Sequence, residues 1–120
     1  MNKKTLVIGA SLKPYRFSHR VTKLLREYGH DVVAVGKKSG WIGDVKVELE
    51  PPVGEEIDTV TIYLNPTNQY QIITYVLEMK PKRIIFNPGA ENVIFYKKAK
   101  ELGVEVLNEC TLVMLRTSQY

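Results

Sequence analysis

The loop after the first apolar segment has the residue types of a phosphate-binding site. The apolar run at residues 5–8 ends at Gly9, and glycine lets a ligand approach the backbone closely. Hydroxyls and cations follow it, and cations make charge-assisted hydrogen bonds to phosphate. These side chains belong to Ser11, Lys13, Arg16 and Ser18. The pattern indicates an anion site, although a tight turn with solvated cations explains it equally well.

The predicted helix after this loop begins without an acidic residue. Ser18 is a typical N-cap residue, apolar residues from Val21 to Tyr28 recur on one helical face, and Gly29 ends the helix. Helix N-termini carry partial positive charge, which Asp or Glu usually complements in the first turn. The first acid here is Glu27, so the helix start suits an incoming phosphate.

The end of the second predicted strand narrows the choice of nucleotide. NAD-binding Rossmann domains carry an acid at this point and three glycines in the first turn. This chain has Gly36, Lys37 and Lys38 after the strand at residues 32–35, and only Gly9 of the three glycines. NAD is therefore disfavoured, and a nucleotide with a ribose phosphate, NADP or coenzyme A, fits better. Two exposed loop lysines are the alternative interpretation.

Short apolar strands alternate with helices along the whole chain. The predicted strands lie at residues 5–8, 32–35, 45–49, 60–64, 83–86 and 104–107. Helices are expected near residues 18–28, between a capping segment at residues 65–67 and Pro81, at 91–102 with Leu102 inward, and at 110–115. Residues 39–43 are expected to form a turn. This alternation predicts an α/β fold with one domain over residues 1–120: a three-layer, Rossmann-like, doubly wound and mostly parallel sheet.

Ligands of such sheets bind beyond the carboxyl ends of the strands, where the strand order reverses. In a Rossmann-like order this point lies between the first and fourth predicted strands. The loop at residues 9–18 follows one of them, and Asn65, Pro66 and Thr67 follow the other. We therefore expect these two segments to face each other across the site.

Composition and charge limit the classes of function. The chain has 120 residues, with 44% hydrophobic and 25% charged, as in soluble globular proteins. It has no apolar run of the ~20 residues that a membrane helix needs, and its one cysteine, Cys110, favours the cytoplasm. Residues 1–40 carry nine Lys or Arg against two acids, whereas residues 41–60 carry one against six. The concentrated positive charge indicates a bound anion.

The order of several short motifs resembles the small CoA-binding protein family, whose fold is similar to the CoA-binding domain of the succinyl-CoA synthetase α subunit. The segments that carry the resemblance are residues 7–18, 29–32, 41–43, 58–60, 87–91 and 110–115. They cover nearly the whole chain. One position departs from the pattern, because family members usually carry Asn-Pro where this chain has Gly36 and Lys37.

The resemblance implies that coenzyme A or an acyl-CoA is the ligand. It places the phosphates near the loop at residues 9–18 and the adenosine near Lys37 and Lys38, and it makes residues 65–67 the opposite wall. The complete set of candidate ligand-binding residues is Gly9, Ala10, Ser11, Lys13, Pro14, Arg16, Ser18, Gly36, Lys37, Lys38, Asn65, Pro66, Thr67, Asn87, Pro88 and Gly89.

Few residues could supply catalysis or bind a metal. His19 could touch a ligand phosphate or lie at the surface. His30 is expected to be a structural or surface residue, and Cys110 a small buried one. No His, Cys, Asp or Glu spacing suggests a metal site. Succinyl-CoA synthetase needs a phosphohistidine from a further domain, so the resemblance implies binding without chemistry.

Two other functions compete with CoA binding. A small NADP-dependent oxidoreductase would need an acid, for which Tyr15, Tyr63 and Tyr70 are the candidates, and none stands in a reductase motif. Nucleic-acid binding is disfavoured because the basic residues lack an aromatic sheet surface for stacking bases. We therefore expect a small-molecule CoA ligand and neither nucleic acid nor membrane as a partner; the residues identify no protein partner.

Overall fold

A computed structural model describes residues 2–120, and its centre is a seven-stranded sheet. The strands are β1 (Thr5–Ala10), β2 (Val32–Gly36), β3 (Gly40–Ile42), β4 (Val45–Glu48), β5 (Thr59–Ile62), β6 (Arg83–Phe86) and β7 (Glu105–Asn108). The helices are α1 (Phe17–Glu27), α2 (Ile73–Met79), α3 (Val93–Glu101) and α4 (Thr111–Arg116), with a 3-10 turn at Pro66–Gln69. None of the helices within residues 2–120 is long and apolar enough to cross a membrane.

The strand order is β3-β4-β2-β1-β5-β6-β7, with every neighbouring pair parallel except β3 and β4. Leu6 in the central strand pairs with Val33 on one side and with Val60 on the other. Apart from the β3 edge, this is the order of a doubly wound Rossmann-like sheet. The predicted fold class is confirmed.

Apolar side chains on the two faces of the sheet form two separate core layers. On one face, Leu6 and Phe86 pack with Phe95 from α3. On the other, Val7 packs with Leu25 from α1. Successive residues of β1 therefore enter opposite layers, as the period of a strand requires. The three-layer arrangement follows from this alternation.

Residues 39–43, predicted as a turn, contain the edge strand β3. Trp41 pairs with Lys46 of β4, and Ile42 buries its side chain in the core layer against α1. Gly40 lies directly under Leu12, because a Cβ there would stand 2.8 Å from the Leu12 Cδ1 atom. Packing of Ile42 in the core layer and of Leu12 against Gly40 thus stabilises this glycine-containing segment as a strand.

Three details of the helices differ from the sequence prediction. Helix α1 begins at Phe17, with Arg16 at the N-cap position, so Ser18 is not its cap. Asn65 caps the 3-10 turn through its side chain, which delays the start of α2. Leu102 ends α3 with its side chain exposed rather than inward.

Gly36 lies unusually close to β1. A Cβ at this position would stand 2.2 Å from the Ala10 carbonyl oxygen, whereas a Cβ at Gly40 would meet only the flexible Leu12 side chain. We expect Gly36→Ala to lower the free energy of unfolding by about 1–3 kcal/mol because the strands must move apart. Gly40→Ala should cost less in urea unfolding. Equal losses for the two variants would show that the approach of β2 to Ala10 is not tight.

His30 lies at the amino end of the sheet and is 7% exposed. Its Nδ1 atom accepts a hydrogen bond from the Lys3 backbone N–H at 2.9 Å. Burial lowers the pKa of His30, and the positive charges of Lys3 and Arg83 lower it further, against an opposing effect of Asp58. The neutral ring is therefore the form that the folded state prefers.

Because the unfolded chain holds this proton more tightly, stability should fall as the pH drops through the unfolded pKa of about 6.5 towards the lower folded value. Above that window His30 contributes no pH dependence. His30→Asn keeps an acceptor near the Nδ1 position and does not titrate. As the pH is lowered from about 8 to about 5, the melting temperature should therefore fall further for the parent protein than for His30→Asn. Parallel curves for the two proteins would contradict the assignment.

Candidate functional site

The predicted site segments meet at the carboxyl ends of the central strands. The loop at residues 11–16 leaves β1, residues 65–67 leave β5, and residues 37–38 leave β2. Strands β1 and β5 are neighbours, and the chain winds away from them in opposite directions, so this edge is the topological switch point. The structure thus brings together the segments that sequence alone placed at one site.

Ser18 and His19 fasten the loop at residues 11–16 to helix α1. The Ser11 backbone N–H donates to Ser18 Oγ at 3.1 Å, and His19 Nδ1 donates to the Ser11 carbonyl oxygen at 2.9 Å. Ser11 Oγ in turn accepts from the Lys13 N–H at 3.1 Å. Both sides of Ser11 are held, so the loop has a defined shape. The fastening role of His19 was missed from sequence because it depends on a contact eight residues away.

The N-terminus of α1 opens onto this loop without a neutralising group. Its first turn contains no acid, and Arg16 makes no side-chain cap. The N–H of Arg20 donates to the Arg16 carbonyl at 3.1 Å, and the N–H groups before it have no acceptor of this helical kind. The predicted acid-free helix start is confirmed, and it presents partial positive charge to an anion.

Gly9 owes its identity to packing between strands. It has a φ of +89°, and a Cβ there would stand 3.1 Å from the carbonyl carbon and oxygen of Tyr63. The register of β1 against β2 also shifts between Ile8 and Ala10. The missing side chain therefore faces Tyr63, the residue after β5, rather than an incoming ligand, while Ala10 beside it is buried.

Four exposed cations surround the edge: Lys13, Arg16, Lys37 and Lys38. None of them makes an ion pair among the residues that the structure describes. The Arg16 guanidinium lies 5.7 Å from the centre of the Tyr15 ring. Pro14, between Lys13 and Arg16 in sequence, is exposed as well. Positive charge at this edge is thus available to an external anion.

The segment after β5 forms an exposed wall beside the loop. Asn65 Oδ1 accepts from the Asn68 N–H at 3.0 Å, which fixes the 3-10 turn, and Pro66 and Thr67 are exposed. Tyr63, between β5 and this wall in sequence, has a buried hydroxyl without a hydrogen-bond partner among residues 2–120. Burial raises the pKa of Tyr63, so this phenol keeps its proton.

Asn87 lies below the edge as an internal brace. It is 2% exposed, and its Nδ2 donates to Thr61 Oγ1 at 2.7 Å and to the Ile62 carbonyl at 2.9 Å. Its Oδ1 accepts from the Thr111 N–H at 2.9 Å. The side chain therefore ties β5, β6 and α4 together. Of the predicted set at residues 87–89, Pro88 and Gly89 are the exposed members.

The candidate catalytic side chains lie in different surroundings. His19 is committed to the Ser11 carbonyl, Cys110 is half-buried at the start of α4, and Tyr15 and Tyr70 are largely exposed. Within residues 2–120, no group of three or more His, Cys, Asp and Glu side chains could hold a metal.

Solved structures share this fold along the whole chain. A crystal structure of an uncharacterized protein has 41% identity and a TM-score of 0.95, covering 100% of this chain and 99% of its own. A hypothetical protein from Pyrococcus horikoshii OT3 has 26% identity and a TM-score of 0.86, covering 96% of this chain and 82% of its own. None of the curated proteins matches the chain.

A larger enzyme contains the same fold as one part. The apo form of a dinucleotide-forming acetyl-coenzyme A synthetase from Ca. Korarchaeum cryptofilum has 18% identity and a TM-score of 0.71, with 89% of this chain matching 26% of that one. At this identity the likeness concerns the fold alone. The sequence model described as a CoA binding domain matches residues 3–116, nearly the full length. The chain belongs to the CoA-binding domain family.

Proposed function

We propose that the protein binds coenzyme A or an acyl-CoA without catalysing a reaction on it, as a carrier, sensor or accessory module. The observation that carries the proposal is the set of unpaired cations around the acid-free start of α1, at the switch point of a CoA-binding domain fold. A ligand with several phosphates complements that edge.

The pyrophosphate is assigned to the loop and the helix start. In this proposal the phosphates are bound by the backbone N–H groups at the N-terminus of α1 together with Lys13 and Arg16. Ser18 and His19 hold the loop in place. A preformed loop loses little conformational freedom on binding, which favours affinity. Ser11 and Ser18 shape the backbone because their hydroxyl oxygens accept loop N–H groups, and the O–H of each remains a donor for a phosphate oxygen.

The ribose phosphate is assigned to Lys37 and Lys38. Both follow β2 directly, on the side of the site where a Rossmann-like sheet places the ribose. Their cations replace the acid that would bind the hydroxyls of plain NAD. The Gly36–Lys37 pair departs from the Asn-Pro of the family, and the close packing of Gly36 on Ala10 supports a structural reason for the glycine.

Support for binding without chemistry comes from the reactive side chains near the edge. The buried Tyr63 phenol has a raised pKa, so it is not placed to exchange a proton with a ligand at neutral pH. His19 Nδ1–H donates to the Ser11 carbonyl oxygen and thereby helps to hold the loop. Nothing in the family match favours the oxidoreductase alternative.

Thermal unfolding with a panel of nucleotides tests the proposal. CoA, acetyl-CoA, NADPH and NAD are added separately at equal concentration. CoA or acetyl-CoA at 100 times its dissociation constant should stabilise the fold by about 2.7 kcal/mol, while NAD gives no shift. A larger shift with NADPH than with either CoA species would favour the reductase. No shift with either CoA species would contradict the proposal.

A further inference from the structure

A groove lies between helices α1 and α4, which cover the same face of the sheet because Leu25 of α1 and Leu115 of α4 share one core layer. The residues that line this α1–α4 groove are Arg20, Lys23, Leu24, Glu27, Leu112 and Arg116. Its volume is about 250 Å³, below the range of about 300–1,000 Å³ that is typical of small-molecule pockets. The groove can therefore receive one or two side chains of a partner but does not enclose a small molecule.

The lining residues recur at the spacing of one helical face. Those of α1 begin at Arg20 and lie at i, i+3, i+4 and i+7, and those of α4, Leu112 and Arg116, lie four residues apart. Residues at these spacings are neighbours on the helix surface. The groove therefore extends over about two helical turns, or roughly 10 Å.

Positive charge predominates in the α1–α4 groove. Arg20, Lys23 and Arg116 are exposed, and none of them makes an ion pair within residues 2–120. Glu27 is the only acid among the described residues that line the groove, and it is exposed as well. Three cations thus stand against one carboxylate, so the groove has a positive charge that an acidic partner would complement.

Two leucines supply the apolar lining of the groove. Leu24 is half-buried, and Leu112 is 4% exposed. The same two helices also carry Phe17 and Val113, which are 56% and 54% exposed, and the Arg20 guanidinium lies 5.3 Å from the centre of the Phe17 ring. Apolar surface and positive charge therefore adjoin each other, and one partner segment can contact both.

We propose that the α1–α4 groove binds a short acidic segment of a partner protein that carries an apolar side chain between its acids. The apolar side chain packs against Leu24 and Leu112, and the acids pair with Arg20, Lys23 and Arg116. This occupant complements the charge and the apolar lining together, whereas the phosphates of a nucleic acid would complement the charge alone. None of the candidate ligand-binding residues is among the described residues that line the groove, so the interaction does not require CoA.

Fluorescence anisotropy with labelled synthetic peptides tests the proposal on the full chain. A peptide of Glu-Leu-Leu-Glu repeats should bind saturably at low salt and more weakly at high salt, because the cations are exposed. A peptide of Lys-Leu-Leu-Lys repeats reverses the charge, and a peptide of Glu-Ser-Ser-Glu repeats lacks the apolar side chains. Each of these two should bind at least about tenfold more weakly.

Two sets of charge changes should move the affinity in opposite directions. Lys23→Gln combined with Arg116→Gln should weaken the Glu-Leu-Leu-Glu peptide by about three- to tenfold, whereas Glu27→Gln should tighten its binding about twofold by removing a like charge. Damage to the fold cannot produce tighter binding. Lys97→Gln combined with Lys98→Gln on α3 removes the same charge from the other face of the sheet, and this matched control should bind as the parent does.

Shifts in ¹H–¹⁵N NMR spectra locate the bound peptide, and we expect them at the amides of α1 and α4. The proposal would be overturned by absence of saturable binding, by equal affinity for the acidic and basic peptides, or by equal losses in the Lys23/Arg116 and Lys97/Lys98 variants. Shifts confined to the carboxyl ends of β1 and β5 would also contradict it. Tighter binding of a single-stranded oligonucleotide, with shifts at the same amides, would assign the groove to nucleic acid instead.

Discussion

Replacing Asn87 with alanine should lower the free energy of unfolding by about 3–5 kcal/mol, a large effect for one side chain. The side chain is 2% exposed and makes three hydrogen bonds, to Thr61, Ile62 and Thr111. Its removal leaves the Thr111 N–H and the Ile62 carbonyl oxygen without this partner in a buried place, and unsatisfied buried groups are costly. Urea unfolding measures the loss.

Asn65→Ala is the matched control for Asn87→Ala. Asn65 is exposed and its side chain accepts one hydrogen bond, from the Asn68 N–H, so its loss should cost about 1 kcal/mol. The two asparagines follow neighbouring strands, yet only one is internal. If Asn87→Ala kept the stability of the parent while losing affinity for CoA, Asn87 would be a ligand-binding residue and the internal role would be wrong.

Replacing Lys37 and Lys38 together with alanine should weaken CoA by roughly 10- to 100-fold, since each lysine would lose a charge-assisted hydrogen bond to the ribose phosphate. Dephospho-CoA, which lacks that phosphate, should bind the double variant and the parent protein with similar affinity. Calorimetric titrations of both ligands give the comparison directly. The effect should also shrink at high salt because both lysines are exposed.

A charge-matched pair elsewhere controls for the overall field of the protein. Lys97 and Lys98 are exposed neighbours on α3, and their replacement with alanine removes the same charge. That variant should bind CoA nearly as the parent does. Equal losses of CoA and dephospho-CoA in the Lys37/Lys38 variant would show that these lysines do not bind the ribose phosphate.

The strands were predictable because their apolar runs are short and continuous. Residues 5–8, 32–35 and 83–86 all lie within strands of the sheet, and the order around β1 followed from the alternation of strands and helices. Strand β3 escaped prediction because Gly40, Trp41 and Ile42 show no periodicity. Its pairing depends on β4, which comes later in the chain.

The parts of the site that the sequence did not predict depend on hydrogen bonds between residues that lie far apart in the chain. The Asn-Pro-Gly sequence at residues 87–89 is typical of an exposed turn, but Asn87 is buried by Thr61 and Thr111, each more than twenty residues away. Ser18 is a residue type that commonly caps helices, yet its hydroxyl oxygen accepts a hydrogen bond from the Ser11 N–H. Local propensity gives way to tertiary hydrogen bonds at both positions.

The most direct test of CoA binding at this edge is a crystal structure of the protein soaked with CoA. We predict the pyrophosphate at the N-terminus of α1, within hydrogen-bonding distance of the loop at residues 11–16, and the ribose phosphate beside Lys37 and Lys38. Residues 65–67 should line the opposite side. CoA bound away from the carboxyl ends of β1 and β5, or no bound CoA at saturating concentration, would contradict the account.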